Sequence, residues 1–104
     1  MKNSSNIKLS TLRKKLLQCD KKLISVLKKR FSITQKIGDL KRQQKMEVTQ
    51  PNFWKKSALK RQKWAVKEKI NKEMVKAIFD QIHKCSLEQQ KSKPQKKRST
   101  SFAT

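Results

Sequence analysis

The sequence predicts an all-α protein of three helices, the first of them long. Three observations predict it. Apolar residues recur at helical spacing in three separate runs. One glycine and two prolines in 104 residues leave those runs almost unpunctuated. The first run also keeps a seven-residue repeat. Leu9, Leu12, Leu16, Cys19, Leu23, Val26, Arg30, Ile33, Ile37 and Leu40 alternate steps of three and four.

That repeat places the first helix from Ile7 or Ser10 to Gln44, behind a flexible N-terminus at 1–6. Residues 9–41 would measure about 48 Å as a helix. A second row, Arg13, Leu17, Asp20, Ile24, Leu27, Phe31, Thr34, Gly38 and Lys41, widens the apolar face. So short a chain cannot cover such a helix by itself, so the seam calls for a partner helix from a second copy. Residues 45–50 connect to a second helix, with Thr49 or Gln50 as its cap and Pro51 in its first turn. It runs to Lys67, with Trp54, Ala58, Arg61 and Ala65 facing inward and Phe53, Ser57 and Trp64 beside them. After a short turn, Asn71 suits the N-cap of a third helix over 72–91, and Glu73 sits where the helix dipole favours an acid. Its apolar stripe is Val75, Ile78, Phe79, Ile82 and Cys85. The helical domain therefore reads as 7–90, and 91–104, KSKPQKKRSTSFAT, as a basic disordered tail.

The formal charge of +22 implies non-specific nucleic-acid binding at low salt. The cations are 24 Lys and 5 Arg, however, spread over every segment. A dedicated nucleic-acid reader clusters them, uses more Arg and interleaves exposed aromatics. In a chain that writes its cations as Lys, each Arg marks a position where Lys will not do. The five are Arg13, Arg30, Arg42, Arg61 and Arg98. No run of 18 apolar residues exists to span a membrane, and MKNSSNIKLS lacks an apolar core of signal-peptide length, so the chain reads as cytoplasmic. Cys19 and Cys85 have no metal spacing and read as small buried hydrophobes rather than a disulfide.

Most catalytic constellations are missing. His83 is the only histidine, with no Cys or carboxylate at metal spacing, and reads as a plain helix residue. There is no Gly-rich phosphate loop, nucleophile elbow or carboxylate pair. Fixed cations and neutral hydrogen-bonding groups remain. Arg30 is the one charged residue in the seam, and positions 26, 27, 33 and 34 are Val, Leu, Ile and Thr, so no acid stands one turn away. A guanidinium in an apolar row expects an anion. Lys41 lies about 16 Å further along the helix, roughly on the same side, so the two long side chains can bracket one small dianion. Ser86 and Gln90, four apart, share a face of the third helix. Arg13 is about 25 Å from Arg30 along the axis and can join the same ligand only from a second chain whose first helix runs antiparallel. The crossing then falls near Ile24, and residues whose numbers sum to about 48 face each other.

These residues carry a resemblance. LSTLRKKLLQCDKKLISVLKKRFSITQKIGDLK resembles the first helix of the all-helical (AroQ-class) chorismate mutases: Leu-Arg, an Asp amid apolar positions, Leu-x-x-Arg, then Ile-Gly-x-x-Lys. VTQPNFW, residues 48–54, is similar to the Gln-Pro-x-Arg-Trp pattern of one branch of that family. FDQIHKCSLEQQ is similar to its closing helix, with Ser86 and Gln90 at the matching positions. The resemblance covers residues 8–90 without a gap. It implies an intertwined antiparallel homodimer with two equivalent sites and rearrangement of chorismate to prephenate, in the biosynthesis of phenylalanine and tyrosine. It also implies that Arg13 of the partner subunit binds one substrate carboxylate, Arg30 the other with Ser86 nearby, and that Lys41 and Gln90 hydrogen-bond the ether oxygen. Such a unimolecular rearrangement needs no cofactor, metal or nucleophile; it needs a floppy dianion held in its reactive shape. Two departures stand out. Phe53 occupies the Arg position of that branch, and Trp54 the position where the better-known branch has Glu. Gln50 is left as the acceptor for the ring hydroxyl. An isochorismate pyruvate-lyase on the same fold is a neighbouring alternative. A non-catalytic basic helical nucleic-acid-binding or interaction protein is the alternative from another class.

Overall fold

A computed structural model describes residues 2–47 and 50–91, which form three helices: α1 (Lys2–Gln43), α2 (Pro51–Lys67) and α3 (Lys72–Lys91). Thr49, Arg98 and residues 92–104 of the expected tail lie outside the described residues. Among the described residues, no helix is long and apolar enough to cross a membrane. α1 begins five residues before the earlier of its two expected starts. Lys2 to Asn6 contain neither Pro nor Gly, and extending a helix already nucleated downstream adds one bond per residue fixed.

The chain divides into two units: α1 as far as Ile33, and the rest of α1 with α2 and α3. The first unit is a single stretch of helix. Its seam stands open, with Leu12, Leu16 and Val26 each 60% exposed and Leu23 61%. Cys19 belongs to the same row and is exposed with it in the single chain. Full burial of each large apolar side chain is worth about 1.5–3 kcal/mol, so this face gains strongly from any apolar surface laid on it.

In the second unit α2 packs on α3. The Trp54 ring stacks on His83, with centroids 3.7 Å apart and planes 14° from parallel. The Arg61 guanidinium lies 4.4 Å from the Trp54 ring centroid and 4.6 Å from that of Phe79. A flat, delocalised cation fills that slot, which an ammonium would not. Ala65 is buried one turn further along α2. Three residues expected on this face lie outside it. Phe53 (69% exposed), Trp64 and, on α3, Ile78 point to solvent. Phe53 and Trp64 project roughly 80–100° to the same side of Trp54 on the helix wheel, too far round to meet α3. His83, by contrast, is part of the α2–α3 contact rather than a plain helix residue.

The helix ends follow local chemistry. Pro51 opens α2, and Gln50 occupies its N-cap position without capping it; the Gln50 Nε2 donates to the Glu47 carbonyl at 2.8 Å. Asn71 caps α3 as expected, its Oδ1 accepting from the Met74 N–H at 2.8 Å. α1 and α2 both close in the same double-bonded reversal. Met46 N–H donates to the Lys41 carbonyl and Lys45 N–H to Arg42; Ile70 N–H donates to Ala65 and Lys69 N–H to Val66. Lys45 (φ 57°) and Lys69 (φ 58°) hold the left-handed conformation that glycine takes without strain. Lys69→Gly is therefore expected to stabilise the protein by about 0.5–1 kcal/mol, read as a raised urea midpoint at unchanged slope.

Candidate active site

Of the residues singled out in the sequence, Arg13 and Arg30 lie in the first unit. Arg13 is exposed. Arg30 is half-buried, and desolvation lowers its pKa, the cost of keeping a cation on a mostly apolar row.

Lys41, Gln50, Ser86 and Gln90 lie in the second unit, and the structure brings two of them into contact. Gln90, on the last turn of α3, is 6% exposed, and Ser86, one turn earlier on the same face, is 3% exposed. The deepest side chains at this end of α3 are thus polar, which marks a place built for hydrogen bonding. The Ser86 Oγ donates to the Ile82 carbonyl at 3.0 Å. Gln90 lies against Gly38 of α1. A Cβ at position 38 would stand 2.6 Å from the Gln90 Cγ and 3.1 Å from its Cβ, so the missing side chain is what lets the two helices meet there. One turn along α1, the Lys41 Nζ donates to the Gln90 Oε1 at 3.4 Å. Partial burial lowers the Lys41 pKa by desolvation. Gln50 does not join this pair; its side chain bonds to the Glu47 carbonyl.

Two residues that the sequence reading left without a role complete the arrangement. Gly38 supplies the close approach. Arg42 donates from its NH1 to the Gln90 carbonyl at 2.6 Å and pairs through NH2 with Asp39. The signal for Arg42 was its being one of five arginines in a lysine-rich chain.

The chemistry available follows from these groups. An ammonium and a carboxamide, held side by side on two packed helices, place hydrogen-bond donors at one point. Such a pair is suited to stabilising negative charge that grows on an oxygen as a bond breaks.

The sequence model of the family described as chorismate mutase type II matches residues 12–91. No curated protein and no solved structure matches the chain. The matched stretch runs from the second seam leucine of α1 to the end of α3 and contains Arg13, Arg30, Lys41, Gln50, Ser86 and Gln90. The chain belongs to the chorismate mutase type II family and is an isomerase that rearranges chorismate to prephenate.

Proposed function

We propose that this cytoplasmic chorismate mutase acts as an antiparallel homodimer with two equivalent sites, each completed by Arg13 of the partner subunit. In each site Arg30 takes one substrate carboxylate in bidentate fashion, with Ser86 nearby, and Arg13 of the partner subunit takes the other. Lys41 and Gln90 face the ether oxygen of the breaking C–O bond. Gln90 accepts from Lys41 through Oε1 and keeps its Nε2 donors for the substrate. Gln50, donating to Glu47 through Nε2, keeps its Oε1 as acceptor for the ring hydroxyl. The active unit is the helical domain over 7–90.

The observation that carries this reading is the Lys41–Gln90 pair, held on a buried glutamine at the family's matching positions. The open leucine row of α1 supports the dimer, because it is the face a second copy would cover. Neither departure on α2 supplies charge: Phe53 points to solvent and Trp54 is engaged with His83 and Arg61. The dianion is then met by Arg13, Arg30 and Lys41, and position 53 adds no guanidinium. Purified protein is expected to abolish the ultraviolet absorbance of chorismate and yield prephenate, and to leave isochorismate unconverted. Pyruvate release from isochorismate would instead make it a lyase.

A subsidiary behaviour is favoured by one observation. Lys8, Lys15, Lys22 and Lys29 recur every seven residues on α1, with Lys14, Lys21 and Lys28 at the same interval, and all are exposed. This array attracts nucleic acid without sequence preference at low salt and releases it as salt rises.

A further inference from the structure

We infer that Arg42 is a positioning residue for the reaction, holding Gln90 in register by bonding to its backbone. The inference rests on the reading of Gln90 as a donor to the ether oxygen.

Gln90 sits one residue before the end of α3. The last four carbonyls of any helix lack partners within it, and the last turn is where helices fray. A side chain asked to place a donor to within a fraction of an ångström is poorly served by such a location. Side-chain contacts at Gln90 do not cure this. The Lys41 bond is long, at 3.4 Å, and Gly38 offers close packing but no bond.

Arg42 does cure it. Its NH1 donates at 2.6 Å to the Gln90 carbonyl, the group that fraying would release. A guanidinium there also meets the negative end of the α3 dipole. Its NH2 is tied to Asp39 one turn back on α1, so the fork is fixed at both tines. Asp39, Arg42 and the Gln90 backbone form one chain of bonds, and the Lys41 bond with the Gly38 packing holds the Gln90 side chain, both joining the same turn of α1 to the same turn of α3. The first aims the second. Lysine at 42 carries its three donors on one freely turning nitrogen and lacks the planar fork whose two nitrogens reach the acid and the carbonyl at separate fixed points. This is why an arginine stands there in a chain that otherwise writes its cations as lysine.

The test is a double-mutant cycle on the 104-residue chain with chorismate. Arg42→Ala, Arg42→Lys, Gln90→Ala and Arg42→Ala/Gln90→Ala are compared by kcat and KM, by circular-dichroism melting, and by amide hydrogen exchange across residues 86–91. Arg42→Ala is expected to lower kcat about tenfold or more with KM nearly unchanged, and to speed exchange in the last turn of α3 while the rest of the helix stays protected. Arg42→Lys, which keeps the charge, is expected to recover less than half of the loss. In the Gln90→Ala background, Arg42→Ala is expected to have almost no further effect on kcat. Equal losses from Arg42→Ala in both backgrounds would overturn the inference, since Arg42 would then act independently of Gln90. An unaltered kcat in Arg42→Ala, with Gln90→Ala crippled, would overturn it while leaving the role of Gln90 intact. A Gln90→Ala enzyme with wild-type kcat would remove the reading beneath it, and the inference with it. Should Arg42→Ala fail to fold, the Arg42→Lys cycle with Gln90→Ala decides by the same criterion.

Discussion

Lys41→Ala is expected to lower kcat by about 10²–10³-fold while KM changes little, because the lost interaction is made mainly in the transition state. As the ether bond of chorismate stretches, negative charge collects on its oxygen. An ammonium already in place stabilises that charge without reorganising solvent. Lys41 is well suited to this. Its Nζ is directed by Gln90, and partial burial has removed some of the water that would otherwise screen it. The same burial lowers its pKa, so the neutral form is reached at lower pH than for an ordinary lysine. The basic limb of kcat/KM, which reports the free enzyme, should therefore fall below the usual lysine range. The limb in kcat should lie higher, since a bound dianion favours the charged form. Stopped assays on Lys41→Ala and a pH series on the parent check both. Full turnover in Lys41→Ala would take this residue out of the site.

The second large effect is restoration by mixing. Arg13→Ala should cost about 30-fold or more in kcat/KM, since truncating one partner of a desolvated, hydrogen-bonded charge pair costs about 2–5 kcal/mol. Arg13→Ala and Lys41→Ala homodimers should then both be nearly inactive, each lacking one essential cation in both sites. Refolded together, they should recover activity. In a mixed dimer one site receives Arg13 from the Lys41→Ala chain and Lys41 from the Arg13→Ala chain, while the other site lacks both. Random pairing makes half the dimers mixed, so about a quarter of the sites should work. Mixed dimers that form and stay inactive would show that no site is shared.

Much of the fold was legible because it rests on local signals. Pro51 and Asn71 announced the starts of α2 and α3, and both helices have the bounds their periodicity implied. The geometry of the stops was not legible. α1 and α2 end on Lys45 and Lys69 in a conformation that glycine usually signals, and a lysine there carries no warning. The inward row of α2 was legible in Trp54, Ala58, Arg61 and Ala65, which meet α3 or line the contact. Phe53 and Trp64 misled because hydrophobicity alone does not tell a buried aromatic from one left at the edge of a narrow interface. At the site, the heptad drew attention to Arg30 and a four-residue spacing to Ser86 and Gln90. The Arg42 bond to the Gln90 carbonyl joins residues 48 apart in sequence and uses a backbone acceptor, which leaves no mark in any periodic pattern.

The central claim is that two copies of α1 lie head to tail, so that a guanidinium of one chain reaches the site of the other. Nitroxide labels at Ser10 or Ser25, both exposed and outside the site, in a Cys19→Ser/Cys85→Ser background, measure this by pulsed dipolar spectroscopy. With the crossing near Ile24, the two Ser10 labels of a dimer should stand about 42 Å apart along the axis. The two Ser25 labels should be separated mainly by the helix spacing of about 10 Å and the label arms, giving a distance under about 30 Å. Short distances at both positions would mean parallel helices, and no dipolar modulation at either would mean a monomer; each would contradict the shared site.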